Sequence, residues 1–277
     1  MPKKVSAAVL TFFILITTAS AIRAEGGDFP AVMSIRERAA ALSHAIIAEA
    51  FSNRVLTPGQ TTTDDLRYYY WQKVADLGLK ISFSPFFSVR GRHPQDVEKY
   101  GKADKVIRPG DILHCDVGLK YMRSNSDHQE VAYVLKPGEI DAPETLKKMM
   151  AEANRLQDVY CGEFAAGLSG NEMLANMLKK ARALGIPNPR IYSHSLGTFL
   201  HEPGPLIGLP WEQVNNPGRG EVKLVLNSCF TAEMSVTMPV PEWGGQDFRL
   251  PLEQDVAFTK AGVYFLDGRQ TKFHLIK

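Results

Sequence analysis

With 277 residues and 32 basic against 30 acidic side chains, the chain is long enough for one large domain or two small ones. Its formal charge of +2 gives no electrostatic reason to expect nucleic acid as a partner. At 44% apolar residues it has the composition of an ordinary globular protein with a sizeable core.

The chain opens with Lys3 and Lys4, an apolar run from Val5 to Ile16, and small residues ending in Ala19-Ser20-Ala21. This is the layout of a secretory signal peptide over residues 1–24, cleaved after Ala21 or Ala24, with the folded domain over 25–277. An uncleaved membrane anchor is the competing reading, because the run is nearly long enough to span a bilayer. The small closing residues favour cleavage, so the expectation is an exported protein, periplasmic or secreted, without a stable membrane partner. Losing residues 1–21 removes two lysines and leaves a chain near neutrality.

Ile35, Ala39, Leu42, Ile46 and Ala50 recur at helical spacing, predicting a helix over 32–52. After a turn at Pro58-Gly59, Thr62 and Thr63 stand before Asp64 and Asp65 as caps for a second helix running to about Leu77, where Gly78 stops it. A β-rich stretch with Phe83, Phe86, Phe87 and Val89 follows, then a polar loop from Arg90 to Arg108. Alternating residues approach Asp116, a polar turn intervenes, and a second strand leaves from Asp127, so a hairpin should set the two carboxylates side by side. Like charges that close need protons or cations between them.

The second half repeats the first. A helix is predicted from Pro143 to Phe164, and Gly167–Leu174 mirrors Gly59–Leu66 in its glycine, hydroxyl cap and acidic first turn. Both copies close on a Leu-Gly pair, Leu77-Gly78 and Leu184-Gly185, and each precedes a β-rich region bearing two carboxylates. A duplicated half that pairs with itself puts a shared site at the seam.

Further candidates follow in order. His194 and His201 lie in a stretch punctuated by Gly197, Pro203 and Pro205, read as a strand or loop rather than a helix. Glu233 and Glu253 each sit within strand-like apolar runs, where a buried carboxylate needs a partner. A metal is the economical partner; a distant arginine is the alternative. Cys115, Cys161 and Cys229 are too few for a disulfide framework and read as small packing residues.

The order Asp116, Asp127, His194, Glu233, Glu253, with His201 seven residues after His194, resembles the pita-bread metallopeptidases, which include methionine aminopeptidase, aminopeptidase P and prolidase. The resemblance covers essentially the whole mature chain and implies a duplicated α+β fold, a curved antiparallel sheet with helices on its outer face. It also implies two divalent metal ions, with manganese expected and cobalt, iron or zinc as alternatives. Carried over, Asp116 binds one ion, Asp127 and Glu253 bridge both, His194 completes one site and Glu233 the other. Glu233 is then the proton carrier and His201 the histidine that contacts substrate. The family's upstream histidine falls to His93; His114 lies on the ligand strand itself. Where relatives carry a threonine and an arginine after the second aspartate, this chain reads Asp127-His-Gln-Glu.

The resemblance thus implies an aminopeptidase acting on a peptide substrate. Export would separate it from nascent initiator methionines, which favours Xaa-Pro or general dipeptide substrates. The competing readings are a peptide-binding protein that has lost catalysis and a creatinase-like hydrolase of non-peptide C–N bonds. A homodimer is left open by the sequence.

Overall fold

The computed structural model describes residues 29–277, so the signal-peptide reading, with its cleavage after Ala21 or Ala24, lies outside the described residues. Helices α1 (Phe29–Ala50) and α2 (Thr63–Asp76) open the first half. Strands β1 (Lys80–Ile81) and β2 (Phe86–Gly91) follow. Within the segment read as a polar loop lies a short helix, α3 (Pro94–Tyr100), which starts on a proline at its first position. Strands β3 (Ile112–Val117) and β6 (His128–Val134) form the heart of this half, with the ribbon β4 (Leu119–Tyr121) and β5 (Ser124–Asn125) between them.

The second half begins with helices α4 (Glu144–Glu163) and α5 (Gly170–Ala183). Strands β7 (Arg190–His194), β8 (Leu206–Ile207), β9 (Ser228–Thr231) and β10 (Glu233–Val240) come next. The chain closes with β11 (Gln246–Leu252), β12 (Asp255–Thr259), β13 (Gly262–Phe265) and β14 (His274–Ile276).

The internal repeat is present in atomic detail. Helices α2 and α5 are each 14 residues long, each opened by a reciprocal capping box, Thr62 with Asp65 and Ser169 with Glu172. Each ends before a glycine in the left-handed region, Gly78 at φ 69° and Gly185 at φ 70°. The approach to the sheet repeats as well. Ile107 accepts from Gly59 N and donates to Thr61 O, and Leu224 accepts from Gly167 N and donates to Leu168 O. Nine residues beyond Ile107 stands Asp116, and nine beyond Leu224 stands Glu233.

One sheet runs β14-β6-β3-β2 and another β11-β10-β7-β8. They meet at a single bridge between Gln129 and Glu253, whose backbone amides each donate to the other's carbonyl at 3.1 and 3.0 Å. Strand alternation sends one set of side chains under the helices. Leu113, Cys115, Val117, Ala132 and Val134 pack beneath α1 and α2, while Ile191, Met234, Val236, Leu250 and Leu252 pack beneath α4 and α5. The intervening residues form the opposite face, and there the acidic side chains collect.

The predicted hairpin needs correction. Asp116 pairs across the sheet with Gln129, not Asp127, which sits just before β6. The intervening ribbon turns at Met122 and Arg123, both at positive φ, and so lengthens the connection beyond one tight turn. All three cysteines are free, with Cys115 and Cys229 buried, as their packing role requires.

Candidate metal centre

The site is built from the seam outward. Asp127, His194 and Glu253 are buried, and one ligand atom from each lies within 4.8 Å of the others. His194 Nε2 is 3.5 Å from Asp127 Oδ2. Glu233, first residue of β10, continues the line of Tyr192, its partner on β7, and the β10–β11 register sets it across from Glu253. Asp116, on β3, and Glu233 stand outside that group of three, near enough for the charge of Asp116 to act on both Glu233 and Glu253.

Electrostatics bind these acids into one unit. Burial pushes Asp116 up to about 6 and Glu233 up to about 8, the latter also raised by Asp127 and Asp116. Burial followed by neighbouring carboxylates holds Asp127 and Glu253 well above the usual range. No lysine or arginine forms an ion pair with any of the four among the described residues. Glu253 Oε1 is buried without a hydrogen-bond partner. Burial also drops His194 to about 4, so it stands as neutral imidazole with a lone pair to give. Oxygen-rich donors, one neutral imidazole and an orphaned carboxylate oxygen fit a divalent cation better than a solvated acidic patch.

Sequence reasoning missed the supports. Gln129 Nε2 donates to Glu253 Oε2 at 2.6 Å, and its Oε1 faces His114 Nε2 at 2.9 Å. His114 thus carries its proton on Nε2, and burial keeps the ring neutral, down to about 4. The chain His114–Gln129–Glu253 fixes one oxygen of the carboxylate and leaves the other free. Behind the sheet, Asp127 N donates to the buried Asp255 carboxylate at 3.2 Å. His44 accompanies it, its ring 4.4 Å from that of His128 and its Nε2 2.8 Å from Gln254 Oε1. The legible signal for Gln129 was period two, since it shares a face with Asp127; Asp255 lies past the break between β11 and β12 and turns instead towards His44 of α1.

The histidines divide. The ring of His201 stands edge-on to His194 with centroids 4.2 Å apart, in the loop after β7. Its neighbour Glu202 does not orient it; that carboxylate accepts from Phe199 N at 3.1 Å. His93 is not brought to the carboxylates. Its Nδ1 accepts from Gln95 N at the cap of α3, and its Nε2 lies 3.0 Å from Glu242 O. Nδ1 is taken there because Pro94 starts a helix whose first free amides need acceptors.

With this geometry in place, the comparisons are specific. The search of curated proteins returned no match. Among solved structures, an X-Pro aminopeptidase from Thermotoga maritima superposes with TM-score 0.66 at 19% identity, over 89% of this chain and 63% of the other. An Xaa-Pro dipeptidase from Bacillus anthracis gives TM-score 0.62 at 20% identity over 89% and 63%. A methionine aminopeptidase from Thermotoga maritima gives 0.60 at 18% identity over 87% and 98%. The chain therefore spans less than two thirds of the length of the first two and nearly all of the third. These likenesses establish the duplicated pita-bread α+β fold. Residues 35–260 match the profile of metallopeptidase family M24, and the chain belongs to that family.

Proposed function

We propose that the chain is an exported, metal-dependent aminopeptidase that cleaves the bond next to a free amino terminus, with Xaa-Pro dipeptides or short peptides as substrates. The observation that carries this reading is the convergence of Asp127, His194 and Glu253 ligand atoms within 4.8 Å, beside a buried carboxylate oxygen that has no partner. Asp116, Asp127, His194, Glu233 and Glu253 would hold two divalent cations, with manganese the proposed metal. The cations would supply activation of the attacking water at neutral pH and charge to stabilise the oxyanion.

The chain's own groups do the rest. Glu233, whose carboxyl group burial and the neighbouring acids push up to about 8 in the metal-free fold, would be deprotonated by a bound cation and could then accept a proton from the attacking water and return it to the leaving amine. His201, beside His194 and only partly shielded, is placed to donate to the developing oxyanion; burial, His194 and Arg219 all lower its pKa. Gln129 keeps Glu253 in position through both steps. Removing any one of these is expected to slow turnover.

The test is hydrolysis of Ala-Pro and Ala-Ala by manganese-loaded protein, before and after chelation. Chelator-sensitive release of free alanine is expected. A folded, metal-loaded preparation that binds both peptides and cleaves neither would favour the non-catalytic binding protein instead. Export is tested separately by the mature amino terminus, expected at residue 22 or 25.

A further inference from the structure

His201 sits in the segment 195–205 that joins β7 to β8, and that segment has little secondary structure of its own to hold it. Its crest is open, with Phe199 64% exposed, while its base is buried at Ser195, Leu196 and Gly197. The base is gripped from the first half of the chain. Arg36 on α1 donates through Nη1 to Leu196 O at 2.6 Å. Asn125 on β5 donates its main-chain N to Gly197 O at 2.8 Å, and its side-chain Nδ2 to Gly197 O and Thr198 O at 2.9 and 2.8 Å. Three consecutive carbonyls thus meet donors from the opposite half. On the far side of His201 the loop closes on itself, Glu202 N donating to Ser195 O at 2.9 Å.

Burial alone asks for less than this. A buried carbonyl needs one donor, and Gly197 O already has one in Asn125 N. Thr198 is exposed, where water serves a carbonyl equally well. The Asn125 side chain therefore adds bonds that desolvation does not require. What it supplies is a reference point. Asn125 stands two residues before Asp127, about 7 Å along the chain. Between them, Ser126 N donates to Leu119 O at 2.9 Å and Ser126 Oγ accepts from Leu119 N at 3.1 Å. Asp127 N is held in turn by Asp255 at 3.2 Å. The path from the His201 loop to a carboxylate of the metal centre is short and hydrogen-bonded at every residue. It is also close-packed: a Cβ on Gly197 would lie 2.6 Å from Glu202 Oε1 and 2.9 Å from Arg36 Nη2.

We propose that Asn125, assisted by Arg36, is a positioning residue that sets His201 against the metal centre by holding the carbonyls of Leu196, Gly197 and Thr198. This rests on the peptidase reading and deepens it, since His201 is the group placed to meet the oxyanion. A loop released by about an ångström would misplace that donor while leaving the carboxylates where they are.

A double-mutant cycle on Ala-Pro hydrolysis by manganese-loaded protein tests this. Asn125→Ala should lower kcat by about 10- to 100-fold, with KM and manganese affinity unchanged. In a His201→Ala background the same change should cost no more than about twofold, because two residues acting through one group do not add. Arg36→Met should act in the same direction and Arg36→Lys keep part of the rate; Arg36→Met supplies the cycle if Asn125→Ala does not fold. Full additivity with His201→Ala, or a loss of kcat matched by an equal loss of manganese affinity, would overturn the proposal. Proton NMR of the zinc-loaded protein reads the loop without turnover. The imidazole C–H signal of His201, assigned by its disappearance in His201→Ala, is expected as one narrow line in wild type and as a broadened or split one in Asn125→Ala. A wild type that cleaves neither Ala-Pro nor Ala-Ala but shows this change defeats the peptidase reading and leaves the clamp standing; an unchanged signal defeats the clamp.

Discussion

Glu253 is held through one oxygen and left bare at the other, and that asymmetry is the work of Gln129. Its amide can donate to Glu253 only while its carbonyl faces His114, so three residues on β3, β6 and the end of β11 share one orientation. Gln129→Leu would free Glu253 to rotate and is expected to weaken divalent-metal affinity by about 10- to 100-fold, the usual effect of losing a support behind a ligand. Competition against a fluorescent chelator measures this, and an unchanged affinity would remove Gln129 from the account. Glu233 and Glu253 were legible as candidates because acids are out of place in apolar runs, and Asp116 and Asp127 because two strands joined by a polar turn can bring their carboxylates together. Gln129 was not, since a neutral amide in a strand carries no such signal. His93 was chosen by its position ahead of Asp116, yet position along the chain says nothing of direction: Pro94 turns that histidine into a helix cap.

At the scale of the elements, the duplication was readable because caps are local chemistry. Hydroxyl, acid three residues on, and a closing Leu-Gly pair are set by the needs of a helix end. Thr62→Ala and Ser169→Ala should each cost about 1 kcal/mol and add when combined, since the two helices belong to separate cores; urea denaturation checks both. The connection between β3 and β6 was less legible. Its ribbon turn uses Met122 and Arg123 at positive φ, where sequence rules look for Asn-Gly. Beside it, a Cβ on Gly118 would lie 2.1 Å from the Ser126 carbonyl oxygen. Gly118→Ala should therefore destabilise the fold by about 1–3 kcal/mol and shift Asp127, the next residue, lowering metal retention along with melting temperature. A variant that loses stability but keeps full metal affinity would show that this contact does not position Asp127.

For the molecule as a whole, the site stores repulsion that folding alone does not relieve. In the metal-free fold the acids' pKa values are raised, with Asp116 at about 6 and Glu233 at about 8. The native state then binds protons that the unfolded chain has already released, so its stability falls as pH rises from about 4 to about 8. A divalent cation takes the place of those protons. Manganese should therefore raise the melting temperature, by the equivalent of about 2.7 kcal/mol at a hundredfold excess over Kd, and the increment should grow between pH 5 and pH 8. A pH-independent increment would mean that the acids do not share the cation. Below pH 6 an opposite effect enters. His114, depressed to about 4, refuses a proton that the unfolded chain accepts at about 6.5, so acid destabilises the fold with or without metal.

All of this depends on cations lying among Asp116, Asp127, His194, Glu233 and Glu253. The most direct measurement is the anomalous difference density of crystals grown with manganese, recorded on both sides of the manganese absorption edge. Two peaks are predicted, both lying among Asp116, Asp127, His194, Glu233 and Glu253. Density elsewhere, or none among these residues at saturating manganese, would contradict the assignment.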